Sequence, residues 1–392
     1  MKYRTLGRTG LNISCVSLGT GGPSRIGQST HRDEATSHRV IHRALELGIN
    51  LFDTAADYSD SEAILGRALK DTPRDQYYVA TKFAPTTEGD QGGPIITPEQ
   101  VIKSCERSLA RLQIDEIDVF QFHGALPDNY RECVDQLFPT VEKLKTQGKI
   151  RFIGITEYFH KDPSHQMLEM ALNEDIWDTM MVKYGILNQS AETAVLPRAK
   201  RQNVGVFNMS AVRSRLSRQD QLEAIISRWK LAGLVPHDAL PKKNPLDFLI
   251  HDGVNSVVAA GYKFGIEPKA ISCLLVGTGN IAHLEENVAT LLGSPLTRKD
   301  NARIRELFGC VAETEVVISN LPALINRFTV QHHLFNLLFR WMDWEAPDDV
   351  QLLIGTQPAW HHVAALVLYT LVMLTAASLI LRWRQYVTSD EN

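Results

Sequence analysis

Between residues 49 and 157, short apolar runs that end in a polar residue alternate with stretches whose apolar positions recur at helical spacing. INLFD is followed by SEAILGRALK, YYVATK by TPEQVIKSCERSLARL, and IDVFQF by the stretch from Tyr130 to Gln147. This strand-then-helix rhythm argues for a parallel sheet covered by helices. The start of the helix over TPEQV is well marked, because Thr97 precedes Pro98 and Gln100 falls at the position of a capping box. The rhythm continues through RFIGI, DTMMVKY, NVGVF and SCLLVG, which brings the strand-like runs to about eight, enough to close a barrel.

The expected fold is therefore α/β, a (β/α)8 TIM barrel over residues 1–311. Ahead of its first strand, YRTLGRTGLNISCVSLG reads as two short extended runs about a Gly-Arg-Thr-Gly turn, an N-terminal β-hairpin that would close the barrel's lower end. Leu231 to Pro245 is rich in Pro and Lys and reads as a long loop near the site. From Ala312 the rhythm stops. Residues 312–362 form an amphipathic or linker extension, with Leu324, Ile325, Phe328, Phe335, Leu338 and Phe339 largely on one helical face. Residues 363–381 carry no charge over roughly 19 positions, about 28 Å as a helix against an apolar bilayer core of about 30 Å, and are a candidate transmembrane helix.

Composition narrows the partners. Across 392 residues the formal net charge is -4, and no run of Lys or Arg offers an electrostatic footprint for nucleic acid. The cysteines at 15, 105, 133, 273 and 310 are scattered, odd in number and without metal-type spacing, so they read as packing residues in a reducing compartment, and no metal site is expected. MKYRTLGRTG lacks the apolar run of a secretory signal, which places the barrel in the cytosol. The sequons at Asn12, Asn188 and Asn208 lie inside the barrel and are expected to carry no glycan.

Four residues supply candidate chemistry: Asp53, Tyr58, Lys82 and His123, each at or just past the end of an apolar run. That is where a barrel of this kind keeps its catalytic groups. A tyrosine with an ordinary pKa of about 10 needs a neighbouring cation before its phenolate is accessible near neutrality. Lys82 has that charge, Asp53 has the charge to stabilise a buried Lys82, and His123 is suited to hold a substrate oxygen.

The phrases FDTAADYSDSEAILGRAL, ATK, ARLQIDEIDVFQFH, GKIRFIGIT and VGTGNIAHLEENV, in this order over roughly residues 1–310, resemble the aldo-keto reductase superfamily. LGRTGLNISCVSLGTGG and GKIRFIGIT are most similar to its sugar dehydrogenase branch, which includes L-galactose dehydrogenases. The resemblance implies an NAD(P)-dependent oxidoreductase that moves hydride between a nicotinamide cofactor and a sugar or a small aldehyde or ketone. It makes Tyr58 the general acid or base, Lys82 its tuning cation, Asp53 the partner of Lys82, and His123 the group that orients the carbonyl. It also implies cofactor contacts from Gly19, Thr20 and Asp53, from Thr156, from Tyr184 stacked on the nicotinamide ring, from Ser210 at the pyrophosphate, and from Gly277, Thr278, Glu286 and Asn287 around the adenosine end.

The chain departs from the family pattern at several of these points. Ser-Asn and Gln, which hold the nicotinamide carboxamide in many members, are replaced by Thr156, Glu157 and Met181, and a methionine cannot stand in for an amide. Gly277 and His283 stand where members preferring NADP place Lys or Arg, which tilts the cofactor toward NAD, although Arg213 and Arg215 could supply a phosphate contact. The C-terminal run raises a second reading, a membrane-associated, cofactor-binding regulatory subunit resembling potassium-channel β subunits. If the run inserts, it does so as a tail anchor, and its flanking Arg382 and Arg384 suit the mitochondrial outer membrane by resemblance.

Overall fold

The computed structural model describes residues 1–312 apart from 23, 31 and 90–92. The extension 312–362 beyond Ala312 and the candidate span 363–381 lie outside the described residues. Among the described residues no helix is long and apolar enough to cross a membrane.

The chain opens with strands β1 (Tyr3–Thr5) and β2 (Asn12–Ser14), paired antiparallel about a 3-10 turn at Gly7–Thr9. Eight parallel strands follow: β3 (Val16–Gly19), β4 (Leu51–Asp53), β5 (Tyr78–Phe83), β6 (Ile117–Ala125), β7 (Ile150–Glu157), β8 (Thr179–Lys183), β9 (Gly205–Met209) and β10 (Cys273–Val276). Each pairs with its sequence neighbour, and β10 pairs with both β9 and β3, so the barrel is closed. Between and after the strands run α1 (Glu34–Glu46), α2 (Ser61–Leu69), α3 (Pro98–Leu112), α4 (Tyr130–Thr146), α5 (Gln166–Ala171), α6 (Ala191–Ala194), α7 (Leu196–Arg201), α8 (Ser214–Ser217), α9 (Gln219–Leu231), α10 (Val257–Ile266), α11 (Ile281–Leu292) and α12 (Arg298–Phe308). The eight-stranded barrel and its N-terminal hairpin agree with the sequence pattern.

Local chemistry explains where elements begin. At α3 the Thr97 hydroxyl accepts from Gln100 N at 3.3 Å and the Gln100 carbonyl oxygen accepts from Thr97 N at 2.7 Å, a full capping box worth about 1 kcal/mol. The apolar faces of strands and helices meet in one large shell outside the barrel. A second, smaller core fills the barrel's lower end, where Leu6, Leu11 and Ile13 of the hairpin region pack with Leu51, Ala80, Val119, Met181, Phe207 and Cys273. The hairpin is thus a plug, and full burial of Leu6 alone contributes about 1.5–3 kcal/mol. Gly7, at φ +48°, is what lets the plug approach: a β-carbon there would lie 2.6 Å from the Asn203 carbonyl oxygen.

The segment 232–246 is irregular, as its Pro and Lys content suggests. Arg303 of α12 donates to the Ala239 carbonyl at 3.2 Å and Cys310 to the Leu234 carbonyl at 3.7 Å, so the loop packs on α12.

Candidate active site

The strand ends of β4, β5 and β6 bring the four candidate residues together at the upper, C-terminal rim. Register sets this directly: Asp53 pairs with Ala80 and Lys82 pairs with Gln121, so Asp53 and Lys82 face inward on adjacent strands. The Lys82 ammonium donates to Asp53 Oδ2 at 2.8 Å and to the Thr54 carbonyl at 2.6 Å. Lys82 is fully buried and Asp53 is 4% exposed. Burial raises the Asp53 carboxyl, against the pull of Lys82. Burial would lower the Lys82 ammonium, but Asp53 and Tyr58 outweigh it and hold the lysine above its usual value. Lys82 is therefore a fixed cation at the base of the site.

Tyr58 sits on the turn between β4 and α2, which is pinned by Thr54 N to the Ala80 carbonyl at 2.8 Å and Ala56 N to the Lys82 carbonyl at 3.1 Å. Arg111 adds a bond to the Ala56 carbonyl at 3.3 Å. The Tyr58 ring lies 5.0 Å from Lys82 Nζ, and its hydroxyl is 3.4 Å from His123 Nε2. On its far side His123 Nδ1 is 3.3 Å from Asp57 Oδ2, which selects a donor at Nδ1 and leaves Nε2 toward Tyr58. Burial draws the Asp57 carboxyl up, but His123 and Lys82 outweigh it and hold it below the usual range. Burial pushes the Tyr58 phenol above its usual value, with Lys82 pulling the other way. The expected effect of Lys82 is present, but in the free protein burial wins.

Three neighbours of Tyr58 are not among the residues singled out from the sequence as site residues. Gly21 lies against its ring: a β-carbon there would stand 2.6 Å from Tyr58 Cζ. Arg25 donates to Ser59 Oγ at 2.9 Å and its guanidinium is 5.9 Å from the ring centre. Asp57 orients His123. Only the fold brings the segment 21–25 to the turn 57–59, so no local spacing announces these contacts.

The remaining expected positions lie along the same rim, with different fates. Gly19 ends β3, and Gly277 follows β10 with its backbone open toward it, a β-carbon on Gly277 lying 3.5 Å from the Gly19 carbonyl oxygen. The Thr20 hydroxyl is buried without a hydrogen-bond partner among the described residues. Ser210, at φ 54°, gives its carbonyl to Lys183 Nζ. Thr278 accepts from Asn280 N at 3.1 Å just ahead of α11, which carries Glu286 and Asn287. This arc of glycines, hydroxyls and a helix start fits the phosphate-bearing part of a nucleotide.

The arc from β7 to β8 is closed instead. Thr156 Oγ1 accepts from Gly124 N at 2.8 Å. Both Glu157 oxygens are engaged, by Lys183 N at 2.7 Å and by His165 Nδ1 at 2.6 Å, while His165 Nε2 meets Ser190 Oγ at 2.7 Å. Met181 belongs to the lower core. Tyr184 corrects the expectation of a stacking residue. Side chains alternate along a strand, Lys183 points into the barrel, and Tyr184 therefore points out. It is fully buried, stacked 5.3 Å from Phe264, with its hydroxyl donating to Glu192 at 2.9 Å. It is a packing residue of the helical layer.

Comparison with known proteins agrees with this geometry. Residues 16–308 match the model of the "Aldo/keto reductase family". The chain belongs to the aldo/keto reductase family. L-galactose dehydrogenase of Arabidopsis thaliana is 30% identical over 308 residues, covering 74% of this chain and 88% of that one. The NADH-specific methylglyoxal reductase of Escherichia coli (strain K12) is 32% identical over 222 residues, covering 53% of this chain and 66% of that one. Among solved structures, the holo form of aldo-keto reductase AKR11C1 from Bacillus halodurans superposes with a TM-score of 0.62 at 26% identity, covering 80% of this chain and 98% of that chain. Members of this oxidoreductase family work with NAD(P)H, which accords with the glycine-lined arc between β10 and β3.

Proposed function

We propose that this chain is an NAD(P)-dependent oxidoreductase acting on a sugar or a small aldehyde or ketone, with Tyr58 as general acid and base. The observation that carries the reading is the buried Lys82–Asp53 pair beneath the Tyr58 ring. When bound, a nicotinamide nucleotide supplies or accepts the hydride, and Gly19, Thr20, Ser210, Gly277 and Thr278 would hold it, with Glu286 and Asn287 at the adenosine end. Tyr58 and His123 both point to one place where a substrate oxygen can sit, so His123 orients the oxygen and Tyr58 donates a proton to it in reduction. In the reverse direction Tyr58 takes the proton from an alcohol or hemiacetal. The charge of Lys82 favours the phenolate left after donation, which lowers the barrier where charge develops.

NAD is favoured over NADP because Gly277 and His283 offer no Lys or Arg for a 2'-phosphate. The similarity to an L-galactose dehydrogenase and to an NADH-specific methylglyoxal reductase supports a sugar or a small reactive carbonyl compound as substrate. The binding-only reading by analogy with channel subunits has no observation in its favour among the described residues. Tyr58→Phe removes one hydroxyl and little volume. It should abolish most turnover on a panel of aldoses and aldehydes while NADH binding, followed by fluorescence, stays close to wild type. Unchanged turnover would sink the assignment. For the run 363–381, the absence of charge in the sequence is the only support for a membrane-inserted helix, and a full-length protein that leaves the membrane on carbonate extraction would end that reading.

A further inference from the structure

Directly below the tetrad, the barrel interior carries polar side chains that the chemistry above does not use. The Ser17 hydroxyl, Asp53 Oδ1, both ends of the Gln121 amide and the Thr179 hydroxyl are buried with no hydrogen-bond partner among the described residues. Ser17, Gln121 and Thr179 are fully buried. An unpaired buried polar atom is destabilising, and natural interiors hold few of them. Gln121 and Thr179, two of them, are neighbours across Gly154, and that calls for a reason.

The ladder shows how this arrangement is built. Gln121 pairs with Lys82 on one side and with Gly154 on the other, and Gly154 pairs with Thr179. A β-carbon on Gly154 would lie 2.8 Å from Gln121 Cγ and 3.2 Å from its Oε1, and closer still to Thr179 Oγ1. The missing side chain at Gly154 is what lets the amide and the hydroxyl share this level. Next to it on the same strands, Leu51, Val119, Met181 and Phe207 pack into the apolar inner core. Gln121 also acts on the tetrad: burial raises the Asp53 carboxyl, and Lys82, His123 and Gln121 draw it down.

We propose that Gln121 is a positioning residue for proton transfer at Tyr58: with Thr179 it lines a hydrated pocket whose water-linked hydrogen bonds hold the Asp53 oxygen not taken by Lys82. The pocket offers amide and hydroxyl donors and carboxylate and amide acceptors, which is the mixture an internal water needs. The inference rests on the reading of Tyr58 as the proton-transfer group. The titratable groups around Asp53 are Lys82 on β5, Tyr58 and Asp57 on the turn after β4, His123 on β6 and Cys273 on β10. Burial pushes the Cys273 thiol up to about 12, so it stays neutral where the enzyme works. Any change at Gln121 therefore passes to Tyr58 through Asp53 and Lys82.

The sign follows. Without Gln121 the carboxylate is less well held and Lys82 loses part of the partner that keeps it charged; the Lys82 charge acts on Tyr58 more strongly than the opposing Asp53 charge, so Tyr58 ionises less readily. The test uses Gln121→Met, which keeps length and removes both polar atoms, and Thr179→Val, which removes one hydroxyl. Two readouts are taken: Tyr58 ionisation from ultraviolet difference spectra with Tyr58→Phe as blank, and the acid limb of kcat/KM for alcohol oxidation. Both should move up by about 0.5–1 pH unit in Gln121→Met, the range one hydrogen bond to a carboxylate commands, and in the same direction in Thr179→Val. A lower unfolding temperature with superimposable pH profiles would mean that Gln121 only packs, and would overturn the proposal. If Gln121→Met fails to fold, Thr179→Val decides by the same criterion. A wild type that turns over no carbonyl or alcohol refutes the reductase reading, whereas an active wild type with unmoved profiles in the variants refutes this inference alone.

Discussion

Substituting alanine for Gly21 puts a methyl group where the Tyr58 ring now lies. The added β-carbon would stand 2.6 Å from Cζ and 3.0 Å from Cδ2, whereas ordinary contact begins at 3.4 Å. The ring must therefore retreat by roughly 0.8 Å or more, the overlap left between van der Waals surfaces that do not interpenetrate. Its hydroxyl is already 3.4 Å from His123 Nε2, so there is no slack to absorb the move. Gly21 is not among the glycines with positive φ, so its backbone accepts alanine and the effect is confined to the ring. A misplacement of about 1 Å at a reacting group costs on the order of 100-fold in rate, or about 2.7 kcal/mol in the barrier. The assay is kcat on a reactive aldehyde at saturating NADH, with NADH affinity measured separately by fluorescence. The expected outcome is a large fall in kcat with an unfolding temperature close to wild type, since the ring is only half-buried at the rim. A kcat within about threefold of wild type, far short of the rate loss a misplaced reacting group brings, would refute the argument. A loss confined to KM would show that the methyl meets the nucleotide instead.

Three further outcomes follow from other contacts. His165 is buried between Glu157 and Ser190, and although burial would lower it, Glu157 holds it above its usual value. A raised folded-state pKa gives stability that is fully present below the unfolded value of about 6.5 and is lost as pH climbs through the folded value. Thermal unfolding of His165→Gln from about pH 5 to 9 should thus lack the decline seen in wild type over that window, and parallel curves would count against the pair. Gly154→Ala drives a β-carbon into Gln121 and Thr179 and should destabilise by about 1–3 kcal/mol in urea melts, with partial relief in the double variant with Thr179→Ala. Gly7→Ala combines a φ of +48° with backbone overlap at Asn203 and Val204, and should lose about 2 kcal/mol or more while kcat per folded molecule holds.

Much of the barrel is legible in the chain because parallel strands buried on both sides must be apolar throughout, and INLFD, YYVATK and IDVFQF say so without reference to anything distant. The tetrad is legible for a related reason. Asp53, Lys82 and His123 break those apolar runs at the strand ends, and a charge in that place stands out from its surroundings. Gly21, Arg25 and Gln121 do not. Gly21 and Arg25 meet Tyr58 only because β3 and β4 are neighbours in the closed barrel, and Gln121 reads as an ordinary polar break until the register sets it beside Lys82 on one side and Gly154 on the other.

Tyr184 shows where pattern misleads, and the error comes from strand parity. Adjacent residues on a strand face opposite layers, so assigning Tyr184 to the barrel mouth requires Lys183 to face outward, and a lysine buried in the apolar helical shell is the costlier arrangement. The observed solution turns Lys183 inward, where its ammonium reaches the Ser210 carbonyl, and turns Tyr184 outward onto Phe264. Glu157 stands at the end of β7. A carboxylate that has lost access to water needs its oxygens filled, and His165 and Lys183 N fill them. The side of the site that would face a nicotinamide carboxamide is thereby saturated by the protein's own groups, while the glycine-lined arc from β10 to β3 stays open. On the proposed reading, a bound nucleotide is expected to be held mainly at its phosphates and adenosine end. On the same reading, proton transfer rests on a unit, Tyr58 over Lys82 and Asp53, whose geometry is set by the barrel itself.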